Sequence, residues 1–172
     1  MPSAWPPKSL ALLESGLIDL RDAVANDDRY SQLTVDERIW LTRFLVVRAT
    51  GYLEQVFFDC TKEHLRAVSR GSAQAFALSF MERSQNPSPD NLKNTLRRLD
   101  VDLSAQLTEY LDERGKERRE SLKALVNARH SAAHGLNESV QRERALEWTV
   151  LAFELADWLI RRLDPNSVTS PR

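Results

Sequence analysis

The chain has 172 residues, 42% hydrophobic and 28% charged, which is the composition of an ordinary folded domain and excludes the low-hydrophobicity, high-charge class of disordered chains. Its 24 basic and 25 acidic residues leave a formal net charge of -1, so no global field draws it to nucleic acid or an anionic membrane, and any RNA contact has to be local. One cysteine, Cys60, excludes an internal disulfide, no Cys/His set has zinc spacing, and no apolar run reaches bilayer length; the expectation is a cytoplasmic protein with no membrane association, metal or cofactor.

Leu10, Leu13, Leu17, Leu20 and Val24 recur at alternating three- and four-residue steps, the spacing of an amphipathic helix that starts after Pro6 and Pro7. Thr34-Val35-Asp36-Glu37 has the form of a capping box, in which the Thr hydroxyl and the Glu carboxylate satisfy free N–H groups of a first turn. A long helix is expected from there to about Val68. Trp40, Phe44, Val47, Leu53, Val56, Phe57 and Phe58 spread over more than one of its faces, which places it in the middle of a bundle. Gly51 within it costs about 1 kcal/mol relative to Ala, and the expected compensation is close approach of another helix.

Arg70-Gly71-Ser72 breaks the chain ahead of a helical stretch through Phe76, Phe80 and Met81. Asn86-Pro87-Ser88-Pro89 is a loop, with Asp90 placed to cap a helix through Leu92, Leu96 and Leu99. Leu103, Leu107, Tyr110 and Leu111 predict a short helix, which Gly115 separates from a segment running from Lys116 toward His134. Gly135 and Asn137 end that segment. A last helix runs from about Ser139 to Leu163, where Pro165 stops it. Residues 1–165 are thus expected to form one domain, an all-α irregular bundle around one long central helix, with 166–172 as a disordered tail.

Common catalytic signatures are missing: there is no phosphate-cradling Gly-rich loop, no HExxH and no GxSxG. Cys60 lies in an apolar helical run, where a cysteine is buried filler rather than a nucleophile. The block from Leu125 to Gly135 stands out because it holds two of the three histidines, His130 and His134. Taken alone it has a bland explanation, since cations near a helix C-terminus are favoured by the helix dipole and glycine is an ordinary C-cap.

Arg129 and His130, followed by three residues and then His134-Gly135, resemble the Arg-x4-His signature of HEPN domains, in which the motif precedes the last long helix as it does here. Arg48-Ala49-Thr50-Gly51-Tyr52-Leu53-Glu54-Gln55 is similar to a segment of the long helix in the RiboL-PSP-HEPN branch, and the resemblance covers roughly Val35 to Leu163. It implies an all-α bundle of the HEPN type and a metal-independent endoribonuclease with Arg129 and His134 as the catalytic pair and His130 as a supporting group. Arg48 and Glu54 would orient the motif or hold a dimer, or else are solvent-facing charges or weak ion pairs of the kind a long helix ordinarily carries. It further implies a homodimer with both motifs on one cleft, an RNA substrate, and the role of toxin or effector in a toxin-antitoxin or phage-defence system, with an antitoxin or inhibitor protein as partner. Leu136 stands where toxins silenced by nucleotidyl transfer carry Tyr, which puts that mode of control in doubt.

The implied chemistry is reasonable without a metal. Histidine has an unperturbed pKa near ~6.5, suited to proton transfer at neutral pH, and a guanidinium stabilises charge built on phosphoryl oxygens when a ribose 2′-OH attacks. Positions five apart on an ideal helix differ by roughly 140°, so Arg129 and His134 do not share a face, and pairing across a dimer relieves the mismatch. Arg114, Lys116, Arg118 and Arg119 gather positive charge upstream, with Arg97, Arg98, Arg142 and Arg144 as extensions; they form either a phosphate grip or a solvated face balanced by Glu113, Glu117 and Glu120. Two rivals stand beside the ribonuclease: a catalytically silent HEPN-like dimer that binds RNA or protein, and a plain helical interaction module.

Overall fold

The computed structural model describes residues 5–81, 84–133 and 140–167. Seven α-helices and no strand occur among the described residues, and none of those helices is long and apolar enough to cross a membrane.

Helix α1 (Lys8–Ala25) buries Leu10, Leu17 and Val24 from the leucine stripe, with Leu13 and Leu20 packed beside them. Asn26 then caps α2 (Asp27–Gln32): its side-chain oxygen accepts from the Arg29 N–H at 3.0 Å, and Asp27 and Asp28 place negative charge on the first turn. This short helix is absent from the sequence expectation, although Asn-Asp-Asp is a start signal.

The capping box predicted at Thr34 opens α3 (Val35–Val68). The Thr34 hydroxyl accepts from the Glu37 N–H at 3.3 Å, and a Glu37 carboxylate oxygen accepts from the Thr34 N–H at 2.7 Å. The bond from the Thr34 backbone, then that from its hydroxyl, holds the Glu37 carboxyl below its ordinary pKa. The inner faces of α3 bury Leu45, Val46, Ala49, Leu53, Val56 and Phe57 against α1, α6 (Val101–Ala133) and α7 (Arg142–Arg162). Two expectations for α3 are corrected. Trp40 and Phe44 are 66% and 53% exposed, because the N-terminal half of the helix is covered on its inner side only. At Gly51 an added Cβ would meet nothing within 4 Å, so no neighbouring helix in the chain exploits the missing side chain.

The break at Ser69 and Arg70 leads into α4 (Gly71–Ser79), whose Gly71 sits at φ 61° and which buries none of its residues. In α5 (Pro89–Leu99) the cap is Ser88, accepting from the Asn91 N–H at 3.3 Å; Asp90, expected as the cap, is one residue inside the helix, where Pro89 already occupies its start. The two helices expected on either side of Gly115 are one element, α6, whose course is nevertheless marked by left-handed φ at Gly115 (75°) and Lys116 (71°). Asp164 ends the described chain in a turn, accepting from the N–H of Asn166 at 2.8 Å and, through its carbonyl, from the Ser167 hydroxyl at 2.7 Å. Residues 168–172 lie outside the described residues.

Long-range contacts fix the helix directions. Trp5 Nε1 donates to the Ile160 carbonyl at 3.1 Å and Arg142 Nε to the Val24 carbonyl at 2.7 Å, so α1 runs antiparallel to α7. Tyr30 touches both Thr42 (2.9 Å) and the Arg142 guanidinium (4.4 Å from its ring), while His64 lies beside Leu163; α3 and α7 are therefore parallel. Arg118 reaches Glu154, whereas Ala124 and Ala128 face Trp148 and Val140, so the second half of α6 runs back along α7. One end of the bundle thus carries the start of α3, the start of α7 and the end of α6.

Candidate functional site

Leu122, Leu125 and Val126 are buried on α6, and Arg129 follows them by seven, four and three residues, on the same side of the helix. The stripe that anchors α6 in the core therefore continues into a guanidinium at the bundle end, where Arg129 is half-buried. No ion pair or hydrogen bond among the described residues engages it. His130, one residue on, is exposed in the last turn of α6. His134, with Gly135 and Leu136, lies outside the described residues, as do Asn137 and Ser139.

A cavity of about 460 Å³ lies between the end of α6 and the start of α7, lined by Ala124, Asn127, Ala128, Gln141, Arg144 and Trp148 among others. Asn127 and Gln141 supply neutral polar groups there, and Arg144 an exposed cation paired with Glu147 at 3.1 Å. Asn127 stands inside the motif block, two positions before Arg129, which was its only signal in the sequence.

The other predicted site residues are dispersed. On α3, the half-buried Arg48 lies against α1, its guanidinium 3.7 Å from where a Cβ on Gly16 would stand. Glu54 accepts from the Ser84 hydroxyl at 2.6 Å, tying α3 to the stretch before α5. The upstream cations do not form one free patch. Arg118 donates to the Tyr110 carbonyl at 3.2 Å, pairs with Glu113 and Glu154, and stacks 4.4 Å over the Tyr110 ring. Arg119 Nε is 2.6 Å from Asp112, and this bond holds the Asp112 carboxyl below its ordinary pKa. Both pairs reach across Gly115–Lys116, so these cations brace the bend of α6. Lys116 is exposed, and the Arg114 side chain lies outside the described residues. Arg142 is likewise committed, to Val24, to Asp27 at 2.7 Å and to the Tyr30 ring.

Cys60 is fully buried, and burial followed by the neighbouring Asp59 pushes its thiol up to about 12, so it is no thiolate nucleophile at neutral pH. Among the described residues no three His, Cys, Asp or Glu side chains converge as a metal site needs.

The family model of RiboL-PSP-HEPN matches the chain over residues 14–163. No curated protein and no solved structure matches it.

Proposed function

The chain belongs to the RiboL-PSP-HEPN family, whose domains are often ribonucleases, and from that premise we propose that it is an endoribonuclease that cleaves RNA without a metal, using Arg129 and His134. The observation that carries the proposal is the place of Arg129. A half-buried guanidinium continues the core stripe of α6 at the end of the bundle, and no described carboxylate neutralises it, whereas Arg118, Arg119 and Arg142 are all taken up by partners.

In the proposed reaction the ribose 2′-oxygen attacks the adjacent phosphorus, the bond to the 5′-oxygen breaks, and a 2′,3′-cyclic phosphate remains on one product. Arg129 stabilises the charge building on the phosphoryl oxygens. His134 transfers a proton to or from the reacting oxygens, and His130 supports it. Asn127, Gln141 and Arg144 offer hydrogen bonds and charge to the strand beyond the scissile bond. An in-line transfer needs both an acid and a base, which a homodimer with two motifs on one cleft supplies. Such an enzyme fits a toxin or defence effector held in check by a partner protein.

The test is incubation of purified protein with total RNA, with and without EDTA. Cleavage that survives EDTA, leaves DNA intact and yields cyclic phosphate ends is expected. Arg129→Ala and His134→Ala should each lower the rate by ~10² to 10⁴ with helical content unchanged. RNA binding without cleavage by the unaltered protein would replace the proposal with a silent RNA-binding dimer, and full activity in a folded His134→Ala protein would remove the assigned pair.

A further inference from the structure

Helix α4 is nine residues long and buries none of them, although an isolated helix shorter than about 12–15 residues is marginal in water. Phe76 and Phe80, one turn apart on this stretch, stay 67% and 55% exposed, with their rings edge to face at 5.0 Å. What keeps them from the core is space. A cavity of about 320 Å³ is walled by Phe76, Phe80 and Met81 from the α4 stretch, by Leu65 from α3 and by Leu99 from α5.

Two polar groups interrupt this apolar lining at different depths. Thr61, one turn before Leu65 on α3, is fully buried, and its hydroxyl has no hydrogen-bond partner among the described residues. Buried hydroxyls normally take a partner, and a cavity that is only a packing void is lined by apolar atoms. Arg98, on the α5 face it shares with Thr95, is exposed at the mouth of the cavity. It is the one charged residue among the described lining residues, and no described carboxylate pairs with it.

We propose that this cavity binds a small aromatic carboxylate that carries a hydroxyl on the far side of its ring. The carboxylate meets the Arg98 guanidinium at the mouth, the ring lies between Phe76 and Phe80 on one side and Leu65 and Leu99 on the other, and the hydroxyl pairs with Thr61 at the floor. Volume sets the size: small-molecule sites start at about 300 Å³, so this one holds a single ring with a short side chain. The lone cation sets the sign of the head group. Two phenyl edges and the Met81 thioether favour a ring over a flexible chain. A bound ring covers the inner side of α4 and so orders a helix that has little else to pack on. Roughly 39 Å of helix rise separates Thr61 from Val35, at the bundle end that bears Arg129, so the site is independent of the ribonuclease reading.

Isothermal titration calorimetry of the full chain with 4-hydroxyphenylacetate is the test, and saturable one-to-one binding is expected. Phenylacetate, which lacks the hydroxyl, should bind about fivefold more weakly, and 4-hydroxybenzyl alcohol, which lacks the charge, at least about tenfold more weakly. Arg98→Gln should abolish the preference for the acid over the alcohol, and Thr61→Val the preference for the hydroxylated acid over phenylacetate. Ala77→Phe, at a half-buried lining position of α4, should fill the cavity and block binding. Circular dichroism checks that each variant stays folded. Amide exchange over residues 71–80 should slow when the acid is bound and stay unchanged with the alcohol at the same concentration. No saturable binding of the acid, tighter binding of octanoate, or preferences indifferent to both Arg98→Gln and Thr61→Val would overturn the inference. Absence of RNA cleavage would bear on the catalytic pair and not on this cavity.

Discussion

Replacing Arg118 by alanine separates a cation that holds the bundle from one that holds RNA. Its guanidinium donates to the Tyr110 carbonyl, lies 4.4 Å over the Tyr110 ring and pairs with Glu113 and Glu154, and its side chain is only 21% exposed. A hydrogen bond from a charged donor contributes ~1.5–3 kcal/mol and a partly exposed cation–π contact ~0.5–1 kcal/mol. The ion pairs add little, since Glu113 and Glu154 are 61% and 52% exposed. These contacts share one side chain and do not sum, so the expected loss is about 2–3 kcal/mol. For a chain of this size that lowers the melting temperature by roughly 4–12 °C. Thermal unfolding followed by circular dichroism measures it, and RNA cleavage below the transition should stay near the unaltered rate. An unchanged melting temperature together with weaker RNA binding and a shallower salt dependence would refute the bracing role and return Arg118 to the phosphate grip.

Gly51→Ala should raise stability by up to about 1 kcal/mol, because the helix gains propensity and the new Cβ meets nothing in the chain; a urea titration at low protein concentration reads it. Gly115→Ala, also in open space but at φ 75°, should instead cost about 1–2 kcal/mol in the same assay, since an alanine there is forced into the left-handed region. Burial lowers the pKa of His64, opposed by its hydrogen bond at Leu163 and by Asp100, and leaves its Nδ1 without a partner. The folded state therefore binds the proton less readily than the unfolded chain. Stability is fully present above the unfolded value near ~6.5 and falls as pH drops through the lower folded value. His64→Gln should flatten the urea midpoint over that window, whereas a slope unchanged by the substitution would assign the loss to other groups.

The helices at α1, α3, α5 and α7 were legible because their signals are local. The leucine stripe, the Thr34–Glu37 box and the Pro89 start each act over one or two turns, and the motif placed Arg129 on the last turn of α6 for the same reason. Gly115 illustrates the limit. Its left-handed φ is what a helix-ending glycine would show, yet the chain continues as one element, with the ion pairs of Arg118 and Arg119 reaching back across the bend.

Periodicity and capping chemistry, written in neighbouring residues, were enough by themselves to determine an all-α chain, and the resemblance carried by the Arg129 motif and the Arg48–Gln55 segment added the HEPN type. Which arginines are spent inside the protein was decided only in the tertiary structure, since Arg118 meets Glu154 and Arg142 meets Val24 across helices distant in sequence. The same holds for Trp40, Phe44 and Gly51. Apolar spacing shows that a helix has faces to cover, but the packing of α1, α6 and α7 on the other sides of α3 determines which face is left open, because each neighbour's position depends on contacts made elsewhere along its own length.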